Sequence, residues 1–431
     1  IGFESFWGCE SLKQIEIPSS VTNIDEMAFF GCKGFEVYCE KGSVADTYNY
    51  PEGTKKIYGN MPIDDVLYSG TCGTDATYTL YKDGLLVVSG SGEVPSEIGI
   101  SNKDWVKKVE VKEGITKLNS CFNGFSEMTE VSLPNSVGSI SSGCFSECTS
   151  LKSITIPSGV TEIGKSAFSS CTNLESIIVD PQNSKFKSID GNIYSKDGTK
   201  IICCAGGKTY VEIPQGVNTI VEGAFSYNEN IRSVKIPNSV TEIGQGAFRE
   251  CTALESIEIP ENVEYIRDFS FYGCSNLTDL KLNKELKSIG YLAFTGCSNL
   301  KGIVFPEWLE YIDSLAFTGC SSLKYVVIPK ITYMNDWVFS GNNELRIYCI
   351  KGSNAEKYRY YPGNAKVLPF NEFAHNWESM NNINGWLFDT DLFVKNNSDV
   401  NDILGGNPVA LYSYWLNDGI ADGSYHAPTL Y

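Results

Sequence analysis

The stretch Ala247 to Ile266 reads AFRECTALESIEIPENVEYI, and the spacing of its apolar residues specifies the architecture. Leu254, Ile257 and Ile259, then Val263 and Ile266, point one way, while Ser256, Glu258 and Tyr265 point the other. Alternation with a period of two is the pattern of a short strand with one buried face. Two strands are therefore expected, the first ending at Pro260, because proline brings no N–H to a ladder and its ring presets a turn. The Ala-Phe-x-x-Cys segment, Ala247 to Cys251, is read as one helical or 3₁₀ turn that swings the chain back with its aromatic ring aimed inward.

Working outward from this stretch, the same phrase recurs at Phe225, Phe248, Phe271, Phe294 and Phe317, each 23 residues after the last, with Phe339 arriving one residue early. It occurs earlier at Phe122, Phe145 and Phe168, and before that at Phe6 and Phe29. Pro18, Pro134, Pro157, Pro214, Pro237, Pro306 and Pro329 take the place of Pro260. A constant period of this size is the signature of a solenoid. One copy cannot bury its apolar face alone. Stacked copies can, because strands of neighbouring coils lie about 4.8 Å apart and each Phe, Leu and Ile then rests on its counterpart.

The pattern I-x-I-P…V-x-x-I-x-x-x-A-F-x-x-C-x-x-L resembles the BspA-type (Treponema pallidum-like) leucine-rich repeats of bacterial surface proteins, over roughly residues 1 to 50 and 106 to 350. The resemblance implies a leucine-rich-repeat-like solenoid with coils of 23 residues, built mainly of short β-strands plus short helical turns. It also implies an extracellular or cell-surface location and an adhesive role. Fold alone does not dictate use.

Length and composition narrow the classes. The chain has 431 residues and 42% hydrophobic content, enough for a large core and for several domains. A net charge of −18 argues against a nucleic-acid partner, which needs a basic face. No run approaches the roughly 18 apolar residues of a membrane span, so no membrane insertion is expected of this stretch. Ile1 and Gly2 fall in mid-repeat, and the reading therefore expects a longer parent protein. Of the fifteen cysteines, Cys9, Cys32, Cys148, Cys171, Cys251, Cys274, Cys297 and Cys320 each stand three residues after a repeat phenylalanine. Stacking brings such neighbours within disulfide range, yet parallel inward vectors fit a row of small buried hydrophobes, so free thiols are expected. Without a C-x₂-C motif, and with neither histidine near the ladder, no metal site is expected.

The chain divides into four segments. Residues 1–61 hold the end of a first array with its C-terminal cap. Residues 62–105 contain a hairpin candidate, Thr77 to Tyr81 and Leu85 to Ser89 joined through Asp83-Gly84, read as an N-terminal cap. Residues 106–368 form the second array with its own cap. The cap assignment rests on a recurrence: Tyr38, Cys39, Lys41, Gly42, Ser43, Ala45 and Tyr48 return as Tyr348, Cys349, Lys351, Gly352, Ser353, Ala355 and Tyr358 where repeats end. A bare coil end would expose ladder groups and apolar side chains. Residues 369–431 lose the repeat, carry His375 and His426, and read as a small helical module. Between Phe168 and Phe225 lies an atypical copy with a second hairpin, Asn192 to Ser195 and Thr199 to Cys203.

No nucleophile elbow, phosphate loop or zinc-protease motif stands in a suitable context. No histidine precedes His375, so the repeats cannot build a histidine triad. No catalytic residue, metal or cofactor is assigned. A repeated sheet surface suits binding something large. Outward positions of successive second strands read Glu242, Tyr265, Ser288, Tyr311 and Tyr333, and outward first-strand positions include Val304, Tyr325 and Val327. The candidate binding residues are Tyr265, Tyr311, Tyr325, Tyr333, Val304 and Val327, since tyrosine supplies contact area with a polar tip. The expectation is a non-catalytic adhesion or ligand-binding protein whose partner is a protein or glycan on host or neighbouring bacterial cells. The alternatives are a structural spacer in a larger cell-wall protein and a carbohydrate-binding module.

Overall fold

A computed structural model of the chain describes residues 1–58, 65–306, 308–328, 333–335, 337–350, 353–356 and 366–370. The coils contribute their two short runs as strands, and over most of the array a run pairs in parallel with the same run of the next coil. The first-run strands Tyr210–Glu212, Ser233–Lys235, Ser256–Glu258 and Asp279–Lys281 form a four-stranded parallel sheet. The second-run strands Thr219–Ile220, Glu242–Ile243, Tyr265–Ile266, Ser288–Ile289, Tyr311–Ile312 and Tyr333–Met334 lie side by side in a nine-stranded sheet. Register is set by the period: Ile220, Ile243, Ile266, Ile289 and Ile312 are lateral neighbours. All are buried, as are Leu254, Ile257, Ile259 and Val263.

Inside, the phenylalanine rings form a column. Phe225, Phe248, Phe271, Phe294 and Phe317 stack at centroid spacings of 4.8, 5.2, 5.1 and 5.0 Å. The cysteines are free thiols. Those of Cys251, Cys274, Cys297 and Cys320 donate to the backbone carbonyls of Phe225, Phe248, Phe271 and Phe294 at 3.1 to 3.3 Å. Each thiol thus fastens its turn to the coil before.

The Ala-Phe-x-x-Cys segment differs from the expected helical turn. The backbone is left-handed two residues before the ring and again two residues after it: Gly246 and Glu250 around Phe248, Leu292 and Gly296 around Phe294, Leu315 and Gly319 around Phe317. Left-handed residues cannot propagate a right-handed helix. The segment is instead a pair of tight turns, closed by bonds such as Ala247 N–H to Gly244 O and Cys251 N–H to Phe248 O. Among the described residues the α-helix is Val44–Thr47 and the 3₁₀ turn is Lys103–Trp105.

The chain separates into two compact units, Ile1–Val66 and Leu67–Tyr431. In the first, strand Glu36–Cys39 is followed by helix Val44–Thr47, whose N-cap Ser43 accepts from Asp46 N–H. In the second, strand Arg346–Ile350 is followed by a turn in which Ser353 Oγ accepts from Glu356 N–H. Each closing segment then adds a parallel strand that the sequence pattern did not announce, Lys55–Tyr58 in one and Lys366–Phe370 in the other. The hairpin Ala76–Tyr81 and Leu85–Gly90 is antiparallel, turns at Gly84 (φ 89°), and hands over to the array by parallel pairing with Lys108–Val111. Of the expected helical module, residues 371–431 lie outside the described residues.

The atypical copy places Phe186–Ile189, Asn192–Ser195 and Lys200–Cys203 as antiparallel neighbours at the head of the nine-stranded sheet. Its return turn, Cys204 to Gly207, is shorter than the Ala-Phe-x-x-Cys turn. A side chain at Gly206 or Gly207 would press into the carbonyl of Cys171 or Leu174. With this edge cut short, the coils before and after it touch: Ser170 N–H donates to Tyr227 O at 3.2 Å, and the hydroxyls of Ser166 and Ser226 lie 2.7 Å apart.

Candidate ligand-binding face

Outward side chains of the nine-stranded sheet follow from strand alternation and from the lateral register. Glu242, Tyr265, Ser288, Tyr311 and Tyr333 form one row. Tyr265 is 45% exposed and Tyr333 55% exposed. Tyr311 and Tyr333 stack with ring centroids 5.7 Å apart and planes 4° from parallel. Asn335 holds this pair in place by donating to the Tyr311 hydroxyl at 2.6 Å and to Asp313 Oδ1 at 2.7 Å. Burial and the nearby Asp313 carboxylate push the Tyr311 phenol up, so it stays neutral at physiological pH. Among the described residues strand Tyr333–Met334 is the last of the sheet, and Tyr333 ends the row.

The first-strand residues behave differently from the expectation. Gly302 stands beside Tyr325 in the register, and the Tyr325 ring lies against its Cα: a side chain there would sit 2.0 Å from the ring. Tyr325 is therefore folded down, only 8% exposed, and burial pushes its phenol up to about 12. Val327 lies between Val304 and Tyr348 in the register and is fully inaccessible. Val304 is half-buried. Tyr325 and Val327 are thus interior residues, and of the candidates Tyr265 and Tyr333 are exposed, with Tyr311 half-buried beside Tyr333.

A second feature escaped sequence reasoning. Two residues beyond each outward second-strand position, the lateral row runs Val221, Gly244, Arg267. Gly244 lines a dent of about 490 Å³. Its walls carry Thr219, Glu222, Glu242, Gln245, Arg267 and Asp268. Lys165 pairs with Glu222 at 2.6 Å, reaching across the shortened edge of the atypical copy, and Arg267 pairs with Glu242 at 3.8 Å. The Arg267 guanidinium also lies 5.9 Å from the centre of the Tyr265 ring. Asp268 Oδ1 accepts from Tyr291 N–H at 2.9 Å. The sequence carried no signal for this dent, since a side chain at Gly244 would meet the Val221–Glu222 backbone of the preceding coil.

The family model of the BspA type leucine rich repeat region matches in six copies, over residues 1–50, 101–212 and 218–346. No curated protein matches the chain. Among solved structures, the pneumococcal vaccine antigen PcpA is similar with a TM-score of 0.56 and 18% identity, covering 83% of this chain and 79% of its own. A leucine-rich repeat protein from Eubacterium ventriosum matches with a TM-score of 0.49 and 23% identity, covering 71% of this chain and 95% of its own. A leucine rich cell surface protein from Faecalibacterium prausnitzii matches with a TM-score of 0.45 and 25% identity, covering 80% of each chain.

Proposed function

The chain belongs to the BspA type leucine-rich repeat family, and from that premise we propose that it is a non-catalytic bacterial surface or secreted protein that binds a macromolecule through the outward face of its long sheet. The observation that carries this reading is the stacked, parallel Tyr311–Tyr333 pair, fixed by Asn335 and ending in a ring that is 55% exposed. A ring held in advance loses little freedom on binding, and tyrosine brings apolar area with a polar tip, which is why it is enriched at interfaces. Tyr265 extends the same row. Rows of identical spacing suit an extended partner, a protein or a glycan on a host or neighbouring bacterial cell.

The test is retention on immobilised host matrix and on partner cells. The full chain is compared with a variant carrying Tyr265→Ser, Tyr311→Ser and Tyr333→Ser. Loss of retention with an unchanged circular dichroism spectrum supports the reading. Equal retention by both proteins removes the tyrosine row from it.

A further inference from the structure

We propose that the dent lined by Gly244 is a binding site for a neutral sugar. Its volume of about 490 Å³ falls within the range of small-ligand pockets. The choice of ligand class follows from its hydrogen-bonding groups. Glu222, Glu242 and Asp268 only accept, Arg267 only donates, and Gln245 does both. A phosphate or sulfate offers acceptors alone and would face three carboxylates. A simple ammonium offers donors alone and would face Arg267, with Lys165 nearby on Glu222.

A sugar hydroxyl donates one hydrogen bond and accepts others. Adjacent hydroxyls on one ring can therefore satisfy Glu242 and Arg267 together. That pair is 3.8 Å apart, a separation that leaves room for oxygen lone pairs and guanidinium N–H groups to engage a ligand. The half-buried Val221 offers an apolar patch for the C–H face of the ring, and exposed Tyr265 stands beside Arg267 at the rim.

Two structural features keep the site in shape. Gly244 cannot be replaced without its Cβ coming 2.5 Å from the backbone nitrogen of Glu222, so the floor is backbone packed on backbone. The Lys165–Glu222 pair exists because the short turn of the atypical copy lets coils on either side of it meet.

The experiment probes an array of neutral, sulfated and sialylated oligosaccharides with the full chain and with Gln245→Ala and Glu242→Gln variants. Hits are followed by titration calorimetry, and thermal melting checks that both variants fold. Retention of neutral glycans, with affinity reduced about tenfold or more in each variant, is expected from the loss of one hydrogen bond to a charged or amide group. Retention of sulfated or sialylated glycans alone, no retention at all, or equal binding by both folded variants overturns the proposal. The Tyr311–Tyr333 pair lies outside this site while Tyr265 stands at its rim, so a variant with only Tyr311→Ser and Tyr333→Ser separates the two: it should lose matrix retention and keep neutral-glycan binding, and failure of the sugar site leaves the macromolecular reading standing.

Discussion

The Cys274 thiol donates to the backbone carbonyl of Phe248, which lies 26 residues earlier in the chain, at a distance of 3.1 Å. The bond joins one coil's turn to the previous coil's ring position, and the same bond repeats at Cys251, Cys297 and Cys320. Replacing Cys274 with Ala removes a buried donor and leaves a gap the size of a sulfur atom. The expected cost is about 1–2 kcal/mol, read as a lower urea midpoint at pH 7.

The phenylalanine column carries more energy. Phe271 is fully buried and stacks on Phe248 and Phe294 at 5.2 and 5.1 Å. Phe271→Ala should cost about 3–5 kcal/mol. Because each coil rests only on its neighbours, hydrogen exchange should show lost protection centred on the coils of Phe248, Phe271 and Phe294.

Position two after the ring is left-handed in successive coils, at Glu250 (φ 57°), Gly273 (φ 73°), Gly296 (φ 78°) and Gly319 (φ 70°). Gly296→Ala should therefore lose about 1–2 kcal/mol. Glu250→Gly should be neutral or mildly stabilising, since it relieves the same strain. Chemical denaturation of the two variants side by side checks the opposite signs.

Burial raises the thiols. Those of Cys204 and Cys320 are pushed up to about 12 from an ordinary value of 9.0, and Cys251, Cys274 and Cys297 are also raised. Between these limits the folded chain keeps protons that the unfolded chain gives up. The stabilisation is complete below about pH 9 and is lost as pH rises toward 12, at about 1.4 kcal/mol per pH unit for each such thiol. The urea midpoint should fall between pH 9 and 10.5, and Cys320→Ala should make that fall shallower.

Much of the architecture is legible in the sequence: the inward Phe248 and Cys251, the strand end at Pro260 and the hairpin turn at Asp83-Gly84 each follow from residue chemistry acting within a few positions. The left-handed residues flanking the ring were not legible, because Leu292 and Leu315 carry no local signal for a positive φ. The closing strands Lys55–Tyr58 and Lys366–Phe370 were missed as well, since the repeat phrase ends before them and their pairing depends on the preceding coil.

The candidate face divides in the same way. Alternation correctly pointed Tyr265 and Tyr333 outward, but it also pointed Tyr325 and Val327 outward, and both are buried. What covers Tyr325 is decided by Gly302 in the coil before, and alternation along one strand holds no information about that neighbour.

Taken by itself, the order of residues determined the period, the strands, the inner columns and hence the family, because those features arise from contacts between like residues at a fixed spacing. Which outward side chains reach solvent and where a dent opens emerge only in the folded chain, because both depend on unlike neighbours in adjacent coils. Gly244 between Val221 and Arg267, and Lys165 brought to Glu222 by a shortened turn, are such meetings.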